Sequence, residues 1–225
     1  MICRLSDDPY LFPNPIYGEE DGLIAVGGDL SPERLITAYS LGIFPWYGFR
    51  ENEEILWWCP MDRFVIFPKE IHISHSMRQL IKKGTYEVTV NKAFEDVIRG
   101  CSQADERYHQ RGAWLGDDMM EAYKKLHDLH VCASIEVWDK TDLDEQGNAR
   151  LVGGLYGVNL DNNFFGESMF SLVPSASKLA LIYLAQLLQD TGGIIDCQFE
   201  TDHLKTMGGR HIPYSEYMRY LNPEK

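Results

Sequence analysis

Apolar residues recur along most of the chain at spacings that alternate between helix and strand. Leu35, Ala38, Tyr39 and Leu41 share one face of a helix that Ser31 caps, Pro32 begins and Gly42 ends. Ser74 or Ser76 caps a second helix, which runs through Lys83 and stops at Gly84. Tyr86, Val88 and Val90 alternate as a strand, and Asn91 is placed to cap a helix carrying Phe94, Val97, Ile98 and Cys101. Asp118 with Glu121 resembles a capping box for a helix to about Leu129. Ala133, Ile135 and Val137 alternate again. The polar run 140–149 then reads as a hairpin loop turning at Gln146-Gly147-Asn148. Strands over 151–159 and 163–170 bracket a turn at Asp161-Asn162. Ser175 or Ser177 opens a strongly apolar helix that Gly192-Gly193 ends, 194–199 reads as a short buried strand, and the tail adds a helix and a strand.

Three antiparallel strands, a helix and a further strand imply that the last two strands run parallel, joined by a right-handed crossover. This order predicts an α+β fold with a mixed sheet, analogous in topology to acyltransferases of the GNAT type. The chain before this region differs in texture: it is rich in Pro, Gly and aromatic residues, with one clear helix. The expected organisation is a small loop-rich N-terminal domain over 1–65 and a GNAT-like catalytic domain over 66–225.

The length, 225 residues, suffices for a sizeable core without staples, and 44% hydrophobic residues is too many for disorder. No apolar run approaches a membrane span, and the first residues lack a signal-peptide stretch, so the chain reads as cytoplasmic. Five scattered cysteines without a CxxC pair, and seven histidines without a metal spacing, predict reduced thiols and no metal site. A net charge of −13 argues against non-specific polyanion binding over the whole surface, while leaving room for a local basic patch and suiting a cationic partner.

Candidate chemistry concentrates in a few segments. In Ile194-Ile195-Asp196-Cys197-Gln198-Phe199, period-two alternation puts Asp196 and Gln198 on one face, about 6.6 Å apart along a regular strand. Polar groups inside a short apolar strand are costly unless paired; a wet sheet edge would also account for them. Glu167 stands among Phe164, Phe165, Phe170 and Met169, where its ionised form is penalised, and Gly166 beside it lets a ligand approach the backbone. Either it fixes a pocket wall structurally or it faces a ligand, and the two are compatible. Trp46, Trp57 and Trp58 cluster in one window. Trp57-Trp58 reads as core of the small domain, whereas Trp46, with Trp114 in the loop Gly112-Ala113-Trp114-Leu115-Gly116, offers a flat ring for a nucleobase or sugar. Arg78 and Lys82 share a helix face with Lys83 adjacent, a solvated helix end or a phosphate contact that Arg99, Arg107 and Arg111 could extend. GxGxxG, P-loop and GxSxG motifs are absent. The segment Ser171-Leu172-Val173-Pro174-Ser175-Ala176-Ser177 has no glycine to cradle a pyrophosphate, which disfavours acetyl-CoA as donor.

Together these blocks resemble the leucyl/phenylalanyl-tRNA–protein transferase family. The match runs through Phe12-Pro13-Asn14-Pro15, Gly22 to Pro32, Gly42-Ile43-Phe44-Pro45-Trp46, Trp57-Trp58-Cys59-Pro60, His72-Ile73-Ser74, Ser134 to Trp138, Leu151 to Val158, Gly166 to Ser171 and Ile195-Asp196-Cys197-Gln198. The resemblance implies transfer of Leu or Phe, and also Met, from aminoacyl-tRNA to the N-terminal Arg or Lys of a protein, which is thereby marked for degradation. It implies no cofactor, no metal and no membrane. Asp196 and Gln198 match the family's catalytic pair, with Gln198 contacting the attacking amine and Asp196 polarising or orienting Gln198. Trp46 and Trp114 are expected to sandwich the terminal adenosine. Leu155, Phe164, Gly166, Glu167 and Met169 would line the side-chain pocket, and Arg78, Lys82 and Lys83 would touch the acceptor stem. The chain departs from the family pattern at Leu155, which replaces Met, at Thr201, which replaces Asn, and at Leu184 and Leu188, which replace aromatic residues. The competing expectations are a GNAT-fold enzyme with another donor or acceptor, such as a Fem-like aminoacyltransferase or an N-acetyltransferase, and a binding module without chemistry.

Overall fold

The computed structural model describes residues 2–46, 54–108 and 115–222. Strands β1 (Cys3–Arg4), β2 (Leu23–Val26), β3 (Phe44–Pro45) and β4 (Leu56–Trp58) form a small sheet in the order β1-β2-β4-β3, beside helix α1 (Pro32–Ser40). The expected helix is therefore present, and four short strands lie in what the sequence pattern presents as loops. Trp57 anchors this part: it is fully buried, donates from Nε1 to the Gly27 carbonyl at 2.8 Å and packs edge-on to Phe12.

The rest of the chain runs β5 (Asp62–Ile66), α2 (His75–Lys83), β6 (Tyr86–Val90), α3 (Phe94–Tyr108), α4 (Asp117–Asp128), β7 (Cys132–Leu143), β8 (Ala149–Leu160), β9 (Asn163–Ser171), α5 (Ala176–Leu188), β10 (Ile195–Asp196), α6 (Asp202–Thr206), β11 (Arg210–Pro213) and α7 (Tyr214–Leu221). It builds one mixed seven-stranded sheet, β11-β5-β10-β9-β8-β7-β6. As the crossover argument requires, β10 is parallel to β9; its other neighbour, β5, is antiparallel to it. The fold is thus α+β with a mixed sheet, the arrangement expected of a GNAT-type acyltransferase. β5 joins the larger sheet whole, although the expected domain limit at 65 falls inside it.

Period-two alternation sorts the sheet residues into two cores. Ile135, Val137, Leu155, Phe164 and Ile195 pack against α5 on one face. Cys132, Tyr156, Val158, Phe165 and Phe170 face the other side, with residues of α1, α3, α4 and α7. Helix α5 is apolar nearly all round because it is buried nearly all round, from Leu179 through Ala185.

Several local expectations need correction. β7 and β8 pair out to Leu143 opposite Ala149, so the hairpin loop shrinks to 144–148. Backbone ladders can carry exposed polar side chains, which the pattern had assigned to loop. Helix α4 begins at Asp117 with Gly116 at its cap, so Asp118 lies in the first turn rather than at the N-cap, where its side chain accepts from the Met119 N–H. Asn91 caps nothing: it adopts φ +54° and its side chain accepts from the Ser134 N–H. The tail holds two helices and a strand rather than one of each. The expected strand over 194–199 survives only as β10, Ile195–Asp196.

Candidate active site

That early end of β10 creates the site. β9 and β10 are paired only at Phe164 opposite Ile195 and Phe165 opposite Asp196. Beyond this point the two chains separate. On β9 the ladder with β8 carries a bulge: Gly157 opposes Gly166 and Tyr156 opposes Ser168, which leaves Glu167 as the extra residue. Gly157 is needed there, since a Cβ would collide with the Phe165 carbonyl and the Phe164 ring. On the other side of the gap, Gln198 takes a left-handed φ of +57°. The alternation that put Asp196 and Gln198 on one face is therefore broken. The turn instead aims Gln198 across the seam, where its Nε2 donates to Glu167 Oε1 at 3.2 Å.

Asp196 lies behind this turn and is wholly buried. Its Oδ1 accepts from the Gln198 N–H at 2.9 Å, the bond that fixes the turn. Arg63, on β5, donates to the carboxylate from Nε at 2.9 Å and from Nη2 at 2.8 Å, and the Tyr217 hydroxyl on α7 donates to Oδ2 at 2.7 Å. The rings of Phe44 and Tyr217 each lie 4.8 Å from the Arg63 guanidinium. Burial alone would pull the Arg63 pKa down, but Asp196 and Tyr217 reverse this and hold it above its ordinary value.

Glu167 has different company. Tyr123, on α4, donates to Oε2 at 2.6 Å, and the Tyr39 hydroxyl on α1 lies 2.8 Å from that of Tyr123. Protein surrounds the carboxyl on all sides except the one that opens to a cavity. Burial pushes its pKa up to about 7, against the opposing pull of the Tyr123 and Tyr39 hydroxyls.

The cavity, of about 1000 Å³, occupies the gap between β9 and β10 and is closed on one side by α5. Leu155, Phe164, Gly166, Met169, Leu181, Leu184 and Ile195 make its apolar walls; Glu167 and Gln198 stand together on one of them. The N-terminal part contributes Phe44, Pro45 and Trp46, with the Trp46 ring 5.2 Å from that of Phe199 and 42% exposed. His203 also lines it, its imidazole held below the ordinary pKa by burial and by Lys178. Cys197 also lines the cavity, and burial pushes its thiol up from its ordinary pKa.

Of the residues singled out in the sequence, Trp46, Leu155, Phe164, Gly166, Glu167, Met169 and Gln198 line this one cavity. Asp196 does not reach it; it sits behind Gln198, in the second core. Trp114 and Arg111 lie outside the described residues, as does the side chain of Arg107. Arg78, Lys82 and Lys83 are solvent-exposed on α2, which packs beside α5 but forms no part of the cavity wall. Among the positions of departure, Thr201 and Leu184 line the cavity and Leu188 does not. Sequence reading missed Arg63, Tyr217, Tyr39, Tyr123, Phe199 and His203. Arg63 carried a signal, a lone cation in the apolar run Arg63-Phe64-Val65-Ile66, since a buried charge demands a partner. The tyrosines carried none.

The arrangement can hold a medium-sized apolar side chain and present an amide and a carboxyl to whatever is attached to it. Comparison with known proteins agrees. The family model described as Leucyl/phenylalanyl-tRNA protein transferase matches residues 65–222, and that of its N-terminal domain matches residues 28–61. The leucyl/phenylalanyl-tRNA–protein transferase of Anaeromyxobacter dehalogenans is 46% identical over 98% of this chain and 90% of its own length. That of Flavobacterium psychrophilum is 47% identical over 93% of this chain and 95% of its own. Among solved structures, L-PGS from Bacillus licheniformis is a remote likeness, with TM-score 0.42 and 14% identity over 81% of this chain and 57% of that one. The chain belongs to the leucyl/phenylalanyl-tRNA–protein transferase family, enzymes that take an aminoacyl group from tRNA and pass it to a protein.

Proposed function

We propose that the protein transfers Leu or Phe, and also Met, from aminoacyl-tRNA to the N-terminal Arg or Lys of acceptor proteins, marking them for degradation in the cytoplasm. The observation that carries this reading is the apolar cavity of about 1000 Å³ with Gln198 and Glu167 side by side on its wall. The aminoacyl ester is already activated, so neither ATP nor a covalent enzyme intermediate is required. What remains is alignment of an amine against the ester carbonyl, removal of a proton and stabilisation of the oxyanion.

In this reading Leu155, Phe164, Gly166 and Met169 hold the transferred side chain, and Trp46 stacks on the terminal adenosine with Trp114 as its expected partner. Gln198 contacts the attacking amine. Asp196 acts through Gln198, by fixing its backbone, and is a positioning residue. Arg78, Lys82 and Lys83 supply the few phosphate contacts needed to grip only the acceptor stem. The net charge of −13 suits an acceptor that presents an N-terminal cation. The expected division into a small domain over 1–65 and a catalytic domain over 66–225 fits these roles once its limit is placed before β5, which joins the larger sheet, the former supplying Trp46 and the latter most of the side-chain pocket.

The test is transfer from leucyl-tRNA to peptides that differ only at residue one, without ATP. The reading predicts Leu-Arg peptide from the Arg-initiated acceptor and no product from an acetyl-Met-initiated one. Equal rates for the two would overturn the acceptor assignment.

A further inference from the structure

The attacking α-amine of a protein arrives mostly as an ammonium at neutral pH, because its ordinary pKa is about 7.7–8.0. A proton must leave it before nitrogen can attack. Gln198 can accept a hydrogen bond from the amine but cannot take its proton, since a carboxamide is not basic at neutral pH. Nor can Asp196: it is walled off from the cavity, and its oxygens are engaged by Arg63, Tyr217 and the Gln198 N–H. Among the described residues that line the cavity, Glu167 is the one carboxyl, and it lies within hydrogen-bond distance of the Gln198 amide. The β9 bulge turns it into the seam where the two strands part.

We infer that Glu167 is the proton acceptor for the attacking amine, with Gln198 holding the amine beside it. This rests on the proposed function and deepens it. The acceptor ammonium gives one proton to a Glu167 oxygen, and its freed lone pair forms the C–N bond to the ester carbonyl, whose π pair moves onto oxygen. On collapse the bond to the ribose oxygen breaks; that oxygen leaves with a second proton from the same nitrogen, and the third proton stays on the new amide. Glu167 returns its proton to water once the product departs.

The surroundings suit the task. A base works best when its pKa lies near the operating pH, and burial brings Glu167 to about 7. The groups that tune it come from every side. Tyr123 on α4, which donates to it, and Tyr39 on α1, whose hydroxyl lies beside that of Tyr123, lower it, Asp196 on β10 raises it, and Arg63 on β5 lowers it. Tyr156 on β8 and Cys132 on β7 face it as neutral groups, kept so by burial.

The experiment is single-turnover transfer from saturating phenylalanyl-tRNA to an Arg-initiated peptide, across pH 5.5 to 8.5, with donor affinity measured separately. For the wild type the rate is expected to rise with a midpoint near 7. Glu167→Gln should be about five- to tenfold slower at pH 7, the factor by which an amine of pKa about 7.7–8.0 is protonated there, with donor affinity unchanged, and its rate should climb until the peptide amine itself deprotonates. Tyr123→Phe removes a hydrogen bond that favours the ionised form, so the midpoint should move up by about half a pH unit or more. A Glu167→Gln rate within threefold of wild type overturns the inference, as does a midpoint that Tyr123→Phe leaves in place. Absence of transfer by the wild type would instead overturn the function on which the inference rests.

Discussion

Asp196 and Glu167 lie on the two strands that part at the seam, and both touch Gln198. Asp196 faces the dry side: two donors of Arg63, the Tyr217 hydroxyl and a backbone N–H saturate it, and none of these can be exchanged for a ligand. Glu167 faces the cavity with a tyrosine hydroxyl on one oxygen and a single amide on the other, which leaves lone pairs for an incoming donor. The same functional group thus serves as a fixed strut in one place and as an adjustable base in the other. The difference is set by how completely the surroundings satisfy it, not by residue type or by distance from the reacting centre.

Stability measurements can break this contrast. Asp196→Asn leaves the buried Arg63 guanidinium without its counter-charge, and removing one partner of such a pair costs about 3–5 kcal/mol. Urea unfolding should show a loss of that size, together with loss of transfer as the Gln198 turn relaxes. Glu167→Gln should do the opposite as pH rises. A carboxyl whose folded pKa is raised from 4.5 to about 7 contributes fully below its unfolded value and loses that contribution as pH climbs through 7. At about 1.4 kcal/mol per pH unit, wild type should lose roughly 3 kcal/mol relative to Glu167→Gln between pH 4.5 and pH 8. A pH-independent gap between the two would erase the distinction drawn between the carboxylates.

Trp46 sharpens the picture at the mouth of the cavity. Base–aromatic stacking is worth about 1–3 kcal/mol, so Trp46→Ala should weaken use of the charged tRNA about five- to 150-fold. The KM for the peptide should stay where it is. Equal loss for both substrates would make Trp46 a structural residue that supports Phe199 and Trp58, with which its ring is in contact.

Much of this was legible in the residue order. Helix α1 shows its Pro and its closing Gly, with Ser31 at the N-cap position but making no side-chain cap bond; the β7–β8–β9 meander shows its alternation; the parallel return to β10 follows from the crossover rule. Of the seven cavity-lining residues, Glu167, Gly166 and Gln198 stand out as polar or small positions inside apolar runs and Trp46 as a loop ring, whereas Leu155, Phe164 and Met169 are assigned to the pocket by the family resemblance. The site's decisive geometry was not, because it consists of departures from pattern. A bulge at Glu167 and a left-handed turn at Gln198 each reverse which face a side chain meets, and neither residue type announces it. Arg63 and Tyr217 come from distant segments, 133 residues before and 21 after Asp196, so only the folded chain joins them. The four strands of the N-terminal part are too short to establish a period.

The central claim is that Gln198 acts on the incoming amine while the apolar walls bind the aminoacyl group. It is tested most directly by single-turnover transfer with Gln198→Ala, alongside a direct measurement of phenylalanyl-tRNA binding. The account predicts a rate lowered by about 100-fold or more with the donor dissociation constant within twofold of wild type. A dissociation constant that rises in step with the loss of rate would make Gln198 a donor-binding residue and contradict the account.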